Sequence, residues 1–254
     1  MIFPFIWMLL TSLKKQTQIL KLPPEIIPNP FMWVNYHDAL TQLPFGRAYL
    51  NSLIIVVFGV SFFIITSAMS AYAFGKISFP GRDKIFSFLL ISLMIPFQVT
   101  MVPVLLIMKG IGLNNTLGAC IVYSIFANTY GVFMLRQFVK GIPNDLIESA
   151  IIDGCGHPGI FRRIIVPLIK TPVSALIIFN FIANWNNFMQ PLIFLSSMEK
   201  FPVPMLLFMF QGRYISRLDL TMSAACIAII PILIVYLFFQ KHIIEGVAFT
   251  GMKL

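Results

Sequence analysis

IPNDLIESAIIDGCGHPGIFRRIIVP, residues 142–167, is a charged, helix-forming island in a chain otherwise composed for lipid. The 254 residues are 58% hydrophobic and 11% charged, with a mean hydropathy of +0.89. A soluble domain carries about 25% charged residues, so this composition belongs in a membrane. Crossing a hydrocarbon core of about 30 Å takes about 17 to 25 apolar residues in a helix. Working outward from the island, uncharged runs of that length occupy 171–195 and 220–239 on one side of it, and 50–74, 85–108 and 115–135 on the other. They predict five full spans. Residues 2–13 are apolar but about half the needed length and lack a basic leader, so they read as a first helix shortened by a late start or a truncation. The expected fold is all-α, a single polytopic membrane bundle of six helices over 1–254, the first one partial, with residues 136–170 as its long polar loop.

Within the island, Pro143 suits the first turn of a helix, Asn144 and Asp145 suit its positive end, and Gly154 suits the residue just past its close. About three turns are expected between them. At 100° per residue, Leu146, Ile147, Ala150 and Ile151 share one arc, while Asp145, Glu148, Ser149 and Asp153 share the other together with Ile152. One face can rest on membrane helices and the acidic one can meet a partner, with the small Ala150 beside Glu148 permitting close approach and the carboxylate accepting from a donor. The alternative is a helix lying on lipid headgroups, although such helices commonly carry basic polar faces. Beyond the break at Gly154, Gly156 and Pro158, residues 160–166 predict a second short helix that Pro167 ends.

The net charge of +9 arises from 18 basic residues against nine acidic ones. The basic residues are scattered over the connecting segments, with no basic domain or aromatic-interleaved patch, which excludes nucleic acid as a partner. Placing 75–84, the polar loop 136–170 and the tail on the cytoplasmic side puts ten basic residues there and eight outside, in mild agreement with the positive-inside rule. Cys120, Cys155 and Cys226 lack metal-ligand spacing, and His37, His157 and His242 lie in separate segments, so no metal site is expected. No G-x-x-x-x-G-K-[ST] phosphate loop is present. Pro96, Pro191 and Pro231 lie inside or at the edges of spans and are expected to bend them.

The spacing of Glu148-Ser149-Ala150, Asp153-Gly154, nine residues, then Ile164-Ile165-Val166-Pro167 resembles the "EAA" loop of the membrane subunits of ABC importers, and nearly the whole chain resembles the maltose-transporter type of permease. Asn51-Ser52-Leu53 looks like the opening of that family's second span, Gly112-Leu113-Asn114-Asn115-Thr116 like its tight external turn, and Phe181 with Asn184-Trp185-Asn186-Asn187-Phe188 like its fifth-span signature. The ending, Gln240-Lys241, Gly246, Gly251 and Lys253, looks like its tail. Ser149, Cys155-Gly156 and Val166 depart from the usual residues and keep size and polarity in range. The resemblance implies a multi-pass permease of a bacterial or archaeal cytoplasmic membrane, importing a carbohydrate or a related polyol or glycerol phosphate by alternating access, and itself no enzyme. It implies a second homologous permease, a dimer of ATP-binding subunits and an extracytoplasmic solute-binding protein as partners, beside membrane lipid. No cofactor is bound by this chain, and ATP and Mg²⁺ serve the ATPase. Asp145, Glu148, Ser149, Ala150, Asp153 and Gly154 are the implied coupling residues.

Amides inside a span are costly in lipid, so Asn180, Asn184, Asn186, Asn187 and Gln190 should face protein or water. Asn180, Asn184 and Asn187 fall on one side of a helix and, with Trp185 as a stacking face, are candidates for a solute path. Interhelical hydrogen bonding is the other reading. In 196–219, Pro204, Gln211 and Gly212 are candidates for contact with the binding protein, or else the segment caps the bundle. A secondary transporter or channel working without an ATPase remains the alternative function. That class places ionisable groups in mid-membrane, and the five runs contain none. An intramembrane enzyme would need a His, Ser or carboxylate constellation there, and none is visible.

Overall fold

A computed structural model describes the backbone of residues 2–126, 128–213 and 217–251, and the side chains of these except 210–213 and 239–251. In chain order the helices are α1 Phe3–Ser12, α2 Gln16–Ile19, α3 Val34–Thr41, α4 Phe45–Lys76, α5 Arg82–Ser92, α6 Phe97–Gly110, α7 Leu117–Phe126, α8 Thr129–Gly141, α9 Asn144–Ile152, α10 His157–Ile160, α11 Val166–Leu168, α12 Lys170–Trp185, α13 Met189–Phe194, α14 Val203–Arg213 and α15 Leu218–Gly251. A π-helical turn, Phe161–Ile165, joins α10 to α11, and a 3₁₀ turn, Met198–Lys200, precedes α14. The chain is all-helical across the described residues, as its composition requires in lipid, where an unpaired backbone group has no water to turn to.

Three stretches are long and apolar enough to cross a membrane: Phe45–Lys76, Leu117–Gly141 and Leu218–Phe238. Two of the expected spans are broken, the first at Pro96 as expected and the second a few residues before Pro191. Residues 85–108 divide into α5 and α6, which meet at 104° where Pro96 precedes the first turn of α6 and disfavours helical geometry in the residue before it. Residues 171–195 divide at 186–188. There Asn186 Nδ2 donates back to the Ile182 carbonyl at 3.0 Å and the Asn187 carbonyl oxygen of its side chain accepts from the Gln190 amide at 3.2 Å. Side-chain bonds of this kind replace the helical ladder and let α12 stop at Trp185. A further bend of 77° separates the segment His157–Leu168 from α12. Pro231, by contrast, lies inside the continuous α15.

Helix α4 is the centre of the bundle, packing on α7, α8 and α12, while α15 packs on α1, α3 and α12. Its approach to α8 depends on Gly131, where an added Cβ would sit 2.7 Å from Phe63 Cζ. Two of the three buried clusters lie at opposite ends of the bundle. One joins Phe45, Val56, Val60, Trp185, Leu206, Leu220 and Ala224, and the other joins Phe63, Ala71, Leu135, Val139, Ile147, Ile165 and Leu176 at the island end. Large apolar side chains such as Val57, Phe58, Ile65 and Met69 stay exposed along α4. Such a surface suits lipid or another membrane subunit.

Candidate functional site

Helix α9 starts at Asn144 with Pro143 in extended geometry just before it, and it closes at Gly154, whose φ is +77°. The Cys155 amide reaches the Ala150 carbonyl at 2.8 Å and the Gly154 amide reaches Ile151 at 2.9 Å. These two bonds are the Schellman closure of a helix, which needs a left-handed residue and so favours glycine. Ile147 alone is buried, in the island-end cluster, and Ala150 packs partly against it. Leu146, Ile151 and Ile152 are exposed, Ile152 at 84%. The expected apolar arc therefore does not rest whole on the membrane helices. One residue seats the helix, and the others extend its open face.

That open face also holds Asp145, Glu148, Ser149 and Asp153. The Ser149 hydroxyl is occupied locally, donating to the Asp145 carbonyl. The carboxylates behave differently from the others among the described side chains. Glu25 lies against Lys21, Asp38 against His37, Asp83 against Arg82 and Arg136, Glu199 against Arg47, and Asp219 against Arg217. Asp145, Glu148 and Asp153 have no such cation among the described residues. In a chain of net charge +9, unpaired acids gathered beside exposed isoleucines form a surface suited to a partner bearing donors and an apolar groove.

Both flanks of α9 are tied to the end of α4. On one flank, the Lys76 ammonium donates to the Ile142 carbonyl and, at 2.7 Å, to Asn144 Oδ1. On the other, the Tyr72 hydroxyl lies 2.9 Å from His157 Nδ1. Next to them Arg136, 6% exposed, donates from Nε to the Phe74 carbonyl at 3.0 Å, pairs with Asp83 at 2.9 Å and covers the Phe86 ring at 3.9 Å. Sequence reading missed Lys76, Tyr72 and Arg136. The signal available was a cation in the last turn of a helix, where it meets free carbonyls.

At the opposite end, residues 195–203 are held by side chains of α4 and of the turn after α6. Asn51 donates to the Glu199 carbonyl at 2.9 Å, and Ser52 accepts from the Val203 amide at 2.9 Å. Asn115, at φ +54°, accepts from the Ser196 and Ser197 amides and donates to Ser197 Oγ at 2.7 Å. Pro204 is half-buried in the first turn of α14, whose Met205 and Leu206 enter the core. Gln211 and Gly212 lie in α14, and their side chains fall outside the described residues, as do those of Gln240, Lys241, Gly246 and Gly251; Lys253 is outside altogether. Nearby, burial lowers the pKa of the Lys14 ammonium, which sits over Trp7, while Glu25 acts in the other direction.

The amides of α12 come together in part. Asn184 donates to the Asn180 carbonyl and to Asn180 Oδ1, both at 2.9 Å, and accepts from Ser124 at 3.3 Å. Asn184, Asn187, Gln190 and Ser52 line a cavity of about 10 Å³, the size of one water. Trp185 is elsewhere, 2% exposed, stacked on Phe181 at 6° and donating to the Ala228 carbonyl at 3.0 Å. Both of its functions are taken up inside the bundle. Wider space lies between α4 and α12, in hollows of about 400 and 560 Å³ that share Ile64 and Ile65 and include Ser61, Lys170, Thr171 and Ser174. These polar positions were not singled out from sequence, since each stands alone among apolar neighbours.

Residues 64–248 match the family described as the binding-protein-dependent transport system inner membrane component. The chain belongs to that family. This permease is 34% identical over 255 residues to the arabinooligosaccharides transport system permease protein of Bacillus subtilis, covering 99% of this chain and 90% of that one. It is 30% identical over 250 residues to the diacetylchitobiose uptake system permease protein of Streptomyces coelicolor, covering 97% and 82%. In fold it is similar to a chain of a bacterial ABC transporter involved in the import of the acidic polysaccharide alginate, with a TM-score of 0.83 at 22% identity, over 94% of this chain and 90% of that chain. A second solved structure, of the alginate transporter in complex with alginate pentasaccharide-bound periplasmic protein, matches with a TM-score of 0.71 at 15% identity, over 94% and 86%. This chain is accordingly a membrane-embedded transport component rather than a catalytic enzyme.

Proposed function

We propose that this permease imports a carbohydrate, or a related polyol or glycerol phosphate, across the cytoplasmic membrane, and that α9 is the joint through which a separate ATPase drives it. The observation that carries the reading is the open face of α9, where, among the described residues, Asp145, Glu148 and Asp153 lack cations and Ile151 and Ile152 are exposed. A groove on an ATP-binding subunit supplies both. The island end is then cytoplasmic and residues 195–213 face the solute-binding protein. ATP and Mg²⁺ are held by the ATPase dimer, and its closure draws together the coupling helices of this chain and of a second homologous permease. Access alternates between the two sides as the bundles rock as rigid bodies. The groove between α4 and α12 opens toward that second permease, with Ser61, Thr171 and Ser174 offering hydroxyls beside apolar walls.

The test is reconstitution in liposomes with an ATPase dimer, a second permease and a solute-binding protein from the same organism, scoring uptake of labelled oligosaccharides. Accumulation that requires internal or external ATP on the ATPase side supports the reading. Uptake by this chain alone, driven by a proton or sodium gradient, overturns it in favour of a secondary transporter.

A further inference from the structure

Helix α4 is unbroken, as α15 is, and it is gripped at both ends. It runs for 32 residues, roughly 48 Å at 1.5 Å per residue. The bent pairs beside it turn by 104° and 77°. At one end Asn51 and Ser52 hold the backbone of 199–203 through three hydrogen bonds of 2.9, 3.2 and 2.9 Å. At the other, Lys76 holds the chain entering α9 and Tyr72 holds His157, in the chain leaving it. The two grips lie about twenty residues apart, or roughly 30 Å.

We infer that α4 is the shaft that links the two partner-facing segments, and that Lys76 and Tyr72 are positioning residues that transmit movement of α9 to the loop 195–203. The inference rests on the coupling role proposed above for α9. A bent helix pair absorbs displacement at its hinge, whereas a continuous helix carries it along its axis, since packed elements shift as discrete bodies. Tyr72 and Lys76 act on opposite flanks of α9, so a pull on the coupling helix reaches α4 without first passing through a loop. Asn51 and Ser52 deliver it to main-chain atoms, which have little freedom to yield.

The experiment uses the complete complex of this chain, the second permease and the ATPase dimer in proteoliposomes. Cys120, Cys155 and Cys226 are replaced and Ser196→Cys is introduced as a reporter on the exposed start of the loop. Labelling by a membrane-impermeant maleimide is compared between the nucleotide-free and the ATP–vanadate-trapped states. In the parent the two rates should differ by about fivefold or more, the lower range of allosteric coupling. Tyr72→Phe, which removes one hydroxyl, and Lys76→Met should each bring the ratio toward unity while ATP is still hydrolysed, and Lys76→Arg should restore it. Retention of the parent ratio by both Tyr72→Phe and Lys76→Met overturns the shaft but leaves the coupling role of α9 standing. A parent that fails to bind the ATPase overturns the coupling role itself, and loss of the complex in Lys76→Arg as well as Tyr72→Phe reduces these contacts to a seat for α9 and also overturns the shaft.

Discussion

Helix α9 and the loop 195–203 face opposite ends of the same bundle, and they are built on opposite principles. The loop is saturated from within, because Asn51, Ser52, Asn115 and Lys200 between them satisfy the amides or carbonyls of Ser196, Ser197, Glu199, Phe201, Val203 and Asn115 itself. Helix α9 is left open, seated by Ile147 and presenting three carboxylates and three large apolar residues to whatever meets it. A surface whose polar groups are already bonded can change partners at little cost, which suits an encounter that forms and dissolves in each cycle. A surface with unpaired acids gains most from one permanent, complementary groove.

The contrast breaks most visibly if Glu148 is reversed. Glu148→Arg places a longer, cationic side chain where a donor is expected, and like charges at an interface cost several kcal/mol. Co-purification of the ATPase should fall by about tenfold or more, while membrane insertion continues, because Glu148 is exposed and makes no ion pair or side-chain hydrogen bond among the described residues. An undiminished yield of complex assigns the acids to another purpose. A smaller loss is expected for Gly154→Val. At φ +77° a β-branched residue costs about 1–3 kcal/mol, which the chain can relieve by unwinding the last turn of α9. ATPase recruitment should weaken several-fold, and hydrogen exchange at the Gly154 and Cys155 amides should rise with it. Unchanged exchange there would mean that the closure tolerates a side chain.

The two ends also differed in how far they could be read in advance. The island was legible because its signals are local: Pro143 opens α9 and Gly154 closes it where capping chemistry places them. The wheel gave the arcs but not the depth of seating, so Leu146 and Ile151 were expected inward and are exposed. Hydropathy located the apolar runs and was blind to their breaks, since it contains no term for Asn186 and Asn187 bonding the backbone at 182 and 190. Trp185 shows the same limit. Its position among asparagines suggested an open ring, and only the approach of α15 and Phe181 reveals that the ring is enclosed. Lys76 and Tyr72 depend on residues 66 and 85 positions away, beyond the reach of any periodicity.

Saturation of the loop predicts a stability effect rather than a coupling one. Asn115→Leu removes the acceptor of the Ser196 and Ser197 amides and the donor to Ser197 Oγ. Leaving the half-buried Ser197 amide and hydroxyl unpaired costs about 1 kcal/mol or more, so thermal unfolding of the detergent-solubilised complex should begin earlier and protease should cut within 195–203. ATPase co-purification should be unaltered. Were recruitment lost instead, the two ends would not be separable in the way their construction indicates.

The finest test concerns Trp185, which joins α12 to α15 between these ends. Trp185→Phe keeps an aromatic ring for the stack on Phe181 and removes the indole donor to the Ala228 carbonyl. That carbonyl lies inside α15, a helix that also contains Pro231. Proline has no amide to donate, so Pro231 frees the Ile227 carbonyl four positions before it, where the Tyr49 hydroxyl donates, and the indole adds a second side-chain donor at the next carbonyl, that of Ala228. Losing one neutral hydrogen bond costs about 1 kcal/mol, a small drop in unfolding temperature. Because the stack and the bond both lie inside the buried core of the bundle, solute uptake should stay close to that of the parent. A large fall in uptake with unchanged stability would return Trp185 to the solute path and move the functional centre of α12 from its packing side to its open one.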